Sequence, residues 1–143
     1  MWICPLCNQK FIRLNQTHSC NDRTVESFLE GKSEHTIRLF NVFIDQYKTI
    51  GNFVLHPAKS KIGLAAKIRF CSIVAFGKNF IDVVFHLDKL YDENLVFRKI
   101  GQIPGSGTFN HHCRIMFEDD INDELKLYMQ IAYDLGSKKQ EAI

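Results

Sequence analysis

The spacing of apolar residues changes period twice along this chain, and the two changes limit what it can fold into. Up to Gly51 the apolar side chains recur every three or four residues. Ile37, Phe40, Ile44 and Tyr47 make one stripe, widened by Leu39, Val42 and Phe43. Such a stripe is a helix face. With Ser33 as N-cap and Gly51 as stop it predicts a helix over 34–50. A shorter helix is expected from Thr24 through Val25, Phe28 and Leu29 to Gly31. From His56-Pro57 the period falls to two. Ile62, Leu64 and Ala66 alternate, Arg69 to Phe76 is an extended run, and Gly77-Lys78-Asn79 signals a hairpin. Phe80 to Leu87, Leu95 to Ile103 and Thr108 to Phe117 complete the strand-like runs. At Glu118-Asp119-Asp120 the helical period returns and carries Ile121, Leu125, Tyr128, Met129, Ala132 and Tyr133 up to Gly136. Helices, then strands joined by short turns, then a helix predict an α+β fold. Its sheet should be mainly antiparallel, with four to five strands. A length of 143 residues suits one such domain with a small appendage.

The appendage is the first twenty-two residues. Three of the five cysteines crowd there. Cys4-Pro5-Leu6-Cys7 sets two thiols at the C-x2-C spacing, and His18 and Cys20 follow. Three sulfurs and one imidazole make a closed tetrahedral set for zinc. Phe11, Trp2, Ile12 and Leu14 could supply a miniature core, too small to fold without the metal. Two other readings stay open. Cys-Pro-x-Cys also occurs in thiol oxidoreductases, where it follows a buried strand. Only three residues precede Cys4 in this sequence. The cysteines could also be unliganded, or His18 could stand outside the set. The division expected is a zinc knuckle over 1–22 and an α+β domain over 23–143. Cys71 and Cys113, in apolar strand contexts, read as small core residues.

Charge is uneven along the chain. Residues 57–114 carry nine bases against four acids, and residues 115–143 carry three bases against seven acids. The middle is basic and the end acidic, either as unrelated solvated faces or as an anion-attracting sheet face. Lys61, Lys67, Arg69, Lys78, Arg98, Lys99 and Arg114 supply the surplus. Alternation puts Asn110, His112 and Arg114 on one strand face and His111, Cys113 and Ile115 on the other. His112 beside Arg114 could bind an anion or move a proton. Asp82 and His86 share a face but lie roughly 13 Å apart by strand rise, too far to pair. Pro104-Gly105-Ser106-Gly107 is followed by a strand, so it lacks the helix start that phosphate cradles use. The acidic turn at 118–120 reads as a helix start rather than a magnesium site.

The pattern W-x-C-P-x-C-x3-F at Trp2–Phe11, then H-S-C at His18–Cys20 and F-L-x-G-K at Phe28–Lys32, resembles the front of an uncharacterised bacterial family. The main domain of that family is often labelled "predicted transport protein", a label with no mechanism behind it. Arg69-Phe70, the F-H-L of Phe85–Leu87, His112-x-Arg114-Ile115, Asp123-Glu124-Leu125 and Ala132-Tyr133 also look like it. The resemblance implies an α+β domain of no established activity and puts Lys61, Arg69, His112 and Arg114 on motif positions.

No apolar run approaches the ~20 residues that span a bilayer, and Cys4, Pro5 and Cys7 stand where a signal peptide would run. A protein of the cytoplasm with no membrane role is therefore expected. The leading expectation is a binding module: structural zinc at Cys4, Cys7, His18 and Cys20, and an anion site of Lys61, Arg69, His112 and Arg114. Its partner would be nucleic acid or a phosphorylated small molecule. One alternative is a small enzyme with His112 as general acid or base and Arg114, Arg69 or Lys61 holding an anion. Another is a protein-interaction adaptor that presents Trp2 and Ile3 from the zinc end.

Overall fold

The computed structural model describes residues 2, 3, 5, 10–12, 14, 23–102 and 105–138. The four expected metal ligands, Cys4, Cys7, His18 and Cys20, lie outside the described residues. Two short strands flank the first pair of them in sequence. β1 (Trp2–Ile3) and β2 (Lys10–Phe11) run antiparallel, with Trp2 opposite Phe11 and Ile3 opposite Lys10.

The expected α+β architecture is present. Two helices come first: α1 (Val25–Leu29), capped by the Thr24 hydroxyl on Ser27 N–H, and α2 (Glu34–Ile50), capped by Ser33 on Thr36 N–H. A six-stranded antiparallel sheet follows in the order β3-β4-β5-β6-β8-β7. Its strands are β3 (Val54–Pro57), β4 (Ile62–Ala65), β5 (Arg69–Phe76), β6 (Ile81–Leu87), β7 (Lys99–Gln102) and β8 (Phe109–Ile115). A turn at Glu118–Asp120 leads to α3 (Asp123–Lys138). The Asp120 carboxylate accepts from the N–H groups of Met116 and Phe117, and Asn122 caps α3 through the Leu125 N–H. The helix start expected at Glu118-Asp119-Asp120 is thus a separate turn, closed by Asp120, and the helix itself begins at Asp123 behind the Asn122 cap.

The sheet has one strand more than the four to five expected. β3 is a four-residue edge strand that ends on Pro57, too short and too broken to show an alternation. The expected strand over Leu95–Ile103 begins only at Lys99. Before it, the N–H of Val96 donates to the Asn94 side chain and that of Phe97 to the Asn94 carbonyl, which curls the segment into a turn. Nor does Gly136 end α3. It sits inside the last turn because the helix crosses β5 there: a methyl group at Gly136 would stand 2.7 Å from Cβ of Phe70.

One face of the sheet makes the core. Ile62, Leu64, Ile73, Val83, Phe85 and Ile115 pack with Leu39, Phe43 and Tyr47 of α2 and with Leu125, Met129 and Ala132 of α3. Cys71 and Cys113 are buried free thiols among them. The Tyr47 hydroxyl donates to the Met129 carbonyl at 3.0 Å, which joins the two helices and offsets the cost of burying the phenol. A bulge sets the start of β5. Leu64 faces Cys71 while Ala65 faces Arg69, so Phe70 is the extra residue. It turns inward onto Tyr47, Phe53 and Tyr133. Arg69 is left on the opposite face.

Candidate anion-binding face

That opposite face carries the candidate site. Register defines a row straight across the sheet: His56, Gly63, Ser72, Val84, His112 and Lys99 stand opposite one another on successive strands. Neighbouring strands are about 4.8 Å apart. A second row holds His86, Asn110 and Gly101, and a third holds Ala75, Asp82 and Arg114. All three rows face away from α2 and α3, but His56, Ser72 and Val84 in the first are buried, and the exposed groups lie around them. Asp82 is the one acidic residue in the six strands, against Arg69, Lys99 and Arg114 within them and Lys61 and Arg98 at their ends.

These bases do different work. Arg114 is spent on structure. Its guanidinium donates twice to Asp82, at 2.8 Å and 3.0 Å, and lies 3.7 Å over the ring of Phe80. Arg98 approaches the same carboxylate at 3.7 Å. Among the four residues expected to hold an anion, Arg114 is thus neutralised by a strand carboxylate. Arg69 lies flat against Gly63: a methyl group there would meet its Nε at 2.5 Å, so glycine is what lets the guanidinium rest on the strand. Lys61 is half-buried beside it. Burial first, and then the Arg69 charge, lower the pKa of its ammonium. No carboxylate stands within ion-pair distance of Lys61 or Lys99 among the described residues.

His86 is a site residue that sequence reasoning missed. Its Nδ1 and the Asn110 amide oxygen are 2.7 Å apart, and its Nε2 lies 3.2 Å from the Ser72 hydroxyl. Nδ1–H donating to the amide oxygen and Ser72 O–H donating to Nε2 satisfies all three groups with a neutral ring. Burial is the main reason its pKa falls to about 4, and Arg69, Lys61 and His112 push the same way against the Asn110 hydrogen bond. Asp82 and His86 indeed do not pair along β6, and each finds its partner on a neighbouring strand.

His112 keeps a half-buried ring whose pKa is lowered by burial and then by Lys99, with Asp82 opposing. No base or nucleophile bonds to it among the described residues. His111, on the core face, is fully structural. Its Nδ1–H donates to the Phe109 carbonyl and its Nε2 accepts from the Tyr91 N–H, which anchors the loop before β7. Among the described residues no group of three or more His, Cys, Asp or Glu is placed to hold a metal ion, and no helix is long and apolar enough to cross a membrane. Compared with protein-family models, curated proteins and solved structures, the chain matches none.

Proposed function

We propose that this protein is a binding module for an anionic partner, fastened at its N-terminal end by structural zinc. The phosphate backbone of a nucleic acid is the partner best suited to the face. The observation that carries the reading is the register. It puts Arg69 and Lys99, from opposite halves of the sheet, on the side away from the helices, where Lys61 lies close to Arg69 and Arg98 reaches Asp82, the lone strand carboxylate. Bases spread over several strands suit an extended polyanion better than one phosphoryl group. The ring of Phe80 is covered by Arg114, so it is no platform for stacking unpaired bases. Half-buried His112 can add a hydrogen bond to the face without adding charge near neutral pH, whereas His86 is engaged with Ser72 and Asn110.

The zinc part rests on the donor set and on what flanks it. Cys4, Cys7, His18 and Cys20 supply three thiolates and an imidazole, a combination that selects zinc and leaves no open coordination position. The β1–β2 pair brackets Cys4 and Cys7 in sequence, as a knuckle with two converging thiolates requires. Zinc would hold the arm's fold, and the closed shell gives it no part in chemistry on a substrate.

Binding of a labelled duplex, the matching single strand and a nucleoside triphosphate, compared at low and moderate salt, tests the reading. The duplex should bind tightest and weaken steeply with salt. Retention of the nucleoside triphosphate alone would make the partner a phosphorylated small molecule. No retention of any of them at low salt would reject an anion-binding face.

A further inference from the structure

The opposite charge collects elsewhere. Between β6 and β7 the loop of residues 88–98 folds against the start of α3 around an open concavity of about 1030 Å³. Asp92, Glu93 and Glu124 line it together with Leu90, Leu95 and Tyr128, and no base does. Leu95 is 97% exposed and Leu90 50%.

The loop that shows these leucines is braced. The Tyr91 N–H is held by the buried His111 ring at 3.1 Å, and the Asn94 amide donates to the Tyr128 hydroxyl at 2.8 Å. Tyr91 in turn packs edge-on against both His111 and Tyr128. Holding a leucine in water on a fixed loop forgoes the stabilisation that burying its side chain would give. Binding can recover it.

We infer that this concavity docks a basic, apolar-bearing segment of a partner protein. The segment's lysines or arginines would meet Asp92, Glu93 and Glu124, and its apolar side chains would cover Leu95 and Leu90. Charge complementarity chooses the occupant. A nucleic acid would be repelled by the three carboxylates, so this surface is separate from the anion-binding face. A second copy would have to bring its basic sheet face to this concavity. That contact would be head-to-tail, building a ring or an open filament rather than a two-fold dimer.

The test uses the full chain and three synthetic peptides: an amphipathic lysine–leucine peptide, its glutamate–leucine counterpart, and an oligolysine of equal charge. Fluorescence anisotropy at physiological salt reads binding. The lysine–leucine peptide should bind saturably and the other two should not. Leu95→Ser should weaken it roughly tenfold, which corresponds to about 1.4 kcal/mol, and the pair Glu93→Gln with Glu124→Gln should do at least as much. Because Leu95 is exposed, Leu95→Ser should keep the wild-type melting temperature and duplex binding. Equal binding by wild type and Leu95→Ser, or oligolysine binding as tightly as the amphipathic peptide, would overturn the proposal. Self-association that Leu95→Ser abolishes, seen by sedimentation velocity, would overturn it as well.

Discussion

Arg114 on β8 and Asp82 on β6 stand directly opposite each other, joined by two hydrogen bonds between guanidinium and carboxylate. Arg98 leans on the same carboxylate. One acid therefore restrains two bases of the candidate face. Replacing it with an amide, Asp82→Asn, should release both. Duplex affinity should rise and its dependence on salt should steepen by one to two released counterions, about 0.9 in slope for each. The midpoint of urea denaturation should fall, because Arg114 loses its charged partner. Anisotropy titrations at several salt concentrations check the first expectation and denaturant melts the second.

The β6–β8 pairing also shows where sequence reading stops. Periodicity gave the faces correctly: Asp82 and His86 on one side of β6, and Asn110, His112 and Arg114 on the matching side of β8. What it could not give was that β8, not β7, lies next to β6. Chain order puts β7 first, and the intervening loop 88–98 carries it past to the sheet edge. The His86–Asn110 contact was hidden for the same reason, whereas Ser72–His86 spans the signalled hairpin and needed only its register. The helix over 34–50 was legible because a long stripe is backed by capping residues; the last helix was legible from its stripe, but its start at Asp123 behind the Asn122 cap and its end beyond Gly136 were not. The edge strand Val54–Pro57 was not, because four residues with a terminal proline carry no period. The Phe70 bulge, which puts Arg69 on the anion face, follows from inter-strand register, which no local pattern encodes.

Acid should weaken the fold through histidine. His86 is held near a pKa of about 4 in the native protein, against 6.5 in an ordinary setting. The folded state thus binds fewer protons than the unfolded state between those values, and stability rises with pH across that window. The contribution is fully present above about pH 6.5 and is lost as pH falls toward 4. It amounts to at most roughly 3.4 kcal/mol. His111 and His112 act in the same direction. Urea melts of wild type and His86→Gln between pH 4 and pH 7 should show a shallower loss in the variant. Parallel curves would remove His86 as the source.

Helix α3 should not tolerate a side chain at Gly136. The carbonyl of Gly136 accepts from the Ile68 N–H at 3.0 Å, and Cβ of Phe70 fills the space a methyl group would need. Gly136→Ala should cost about 1–3 kcal/mol by overpacking, even though alanine favours helix. Thermal melting measures it. A stabilised variant would mean that the helix and β5 can separate without loss.

Removing one thiolate should affect the arm and spare the sheet. Cys7→Ser should lower zinc content, by elemental analysis, from one per chain to well below one. The cooperative melt of the sheet domain should persist. Unchanged zinc in that variant would exclude Cys7 from the ligand set.

The face itself is tested most directly by the salt dependence of duplex binding in a Lys61→Ala, Lys99→Ala double variant beside wild type. Both bases lack an ion-pair partner among the described residues and sit on opposite halves of the sheet. A polyanion lying across that sheet should contact both, so the slope of log affinity against log salt should shrink by about 1.8, with the fold intact. An unchanged slope would contradict the assignment of this face as the nucleic-acid contact.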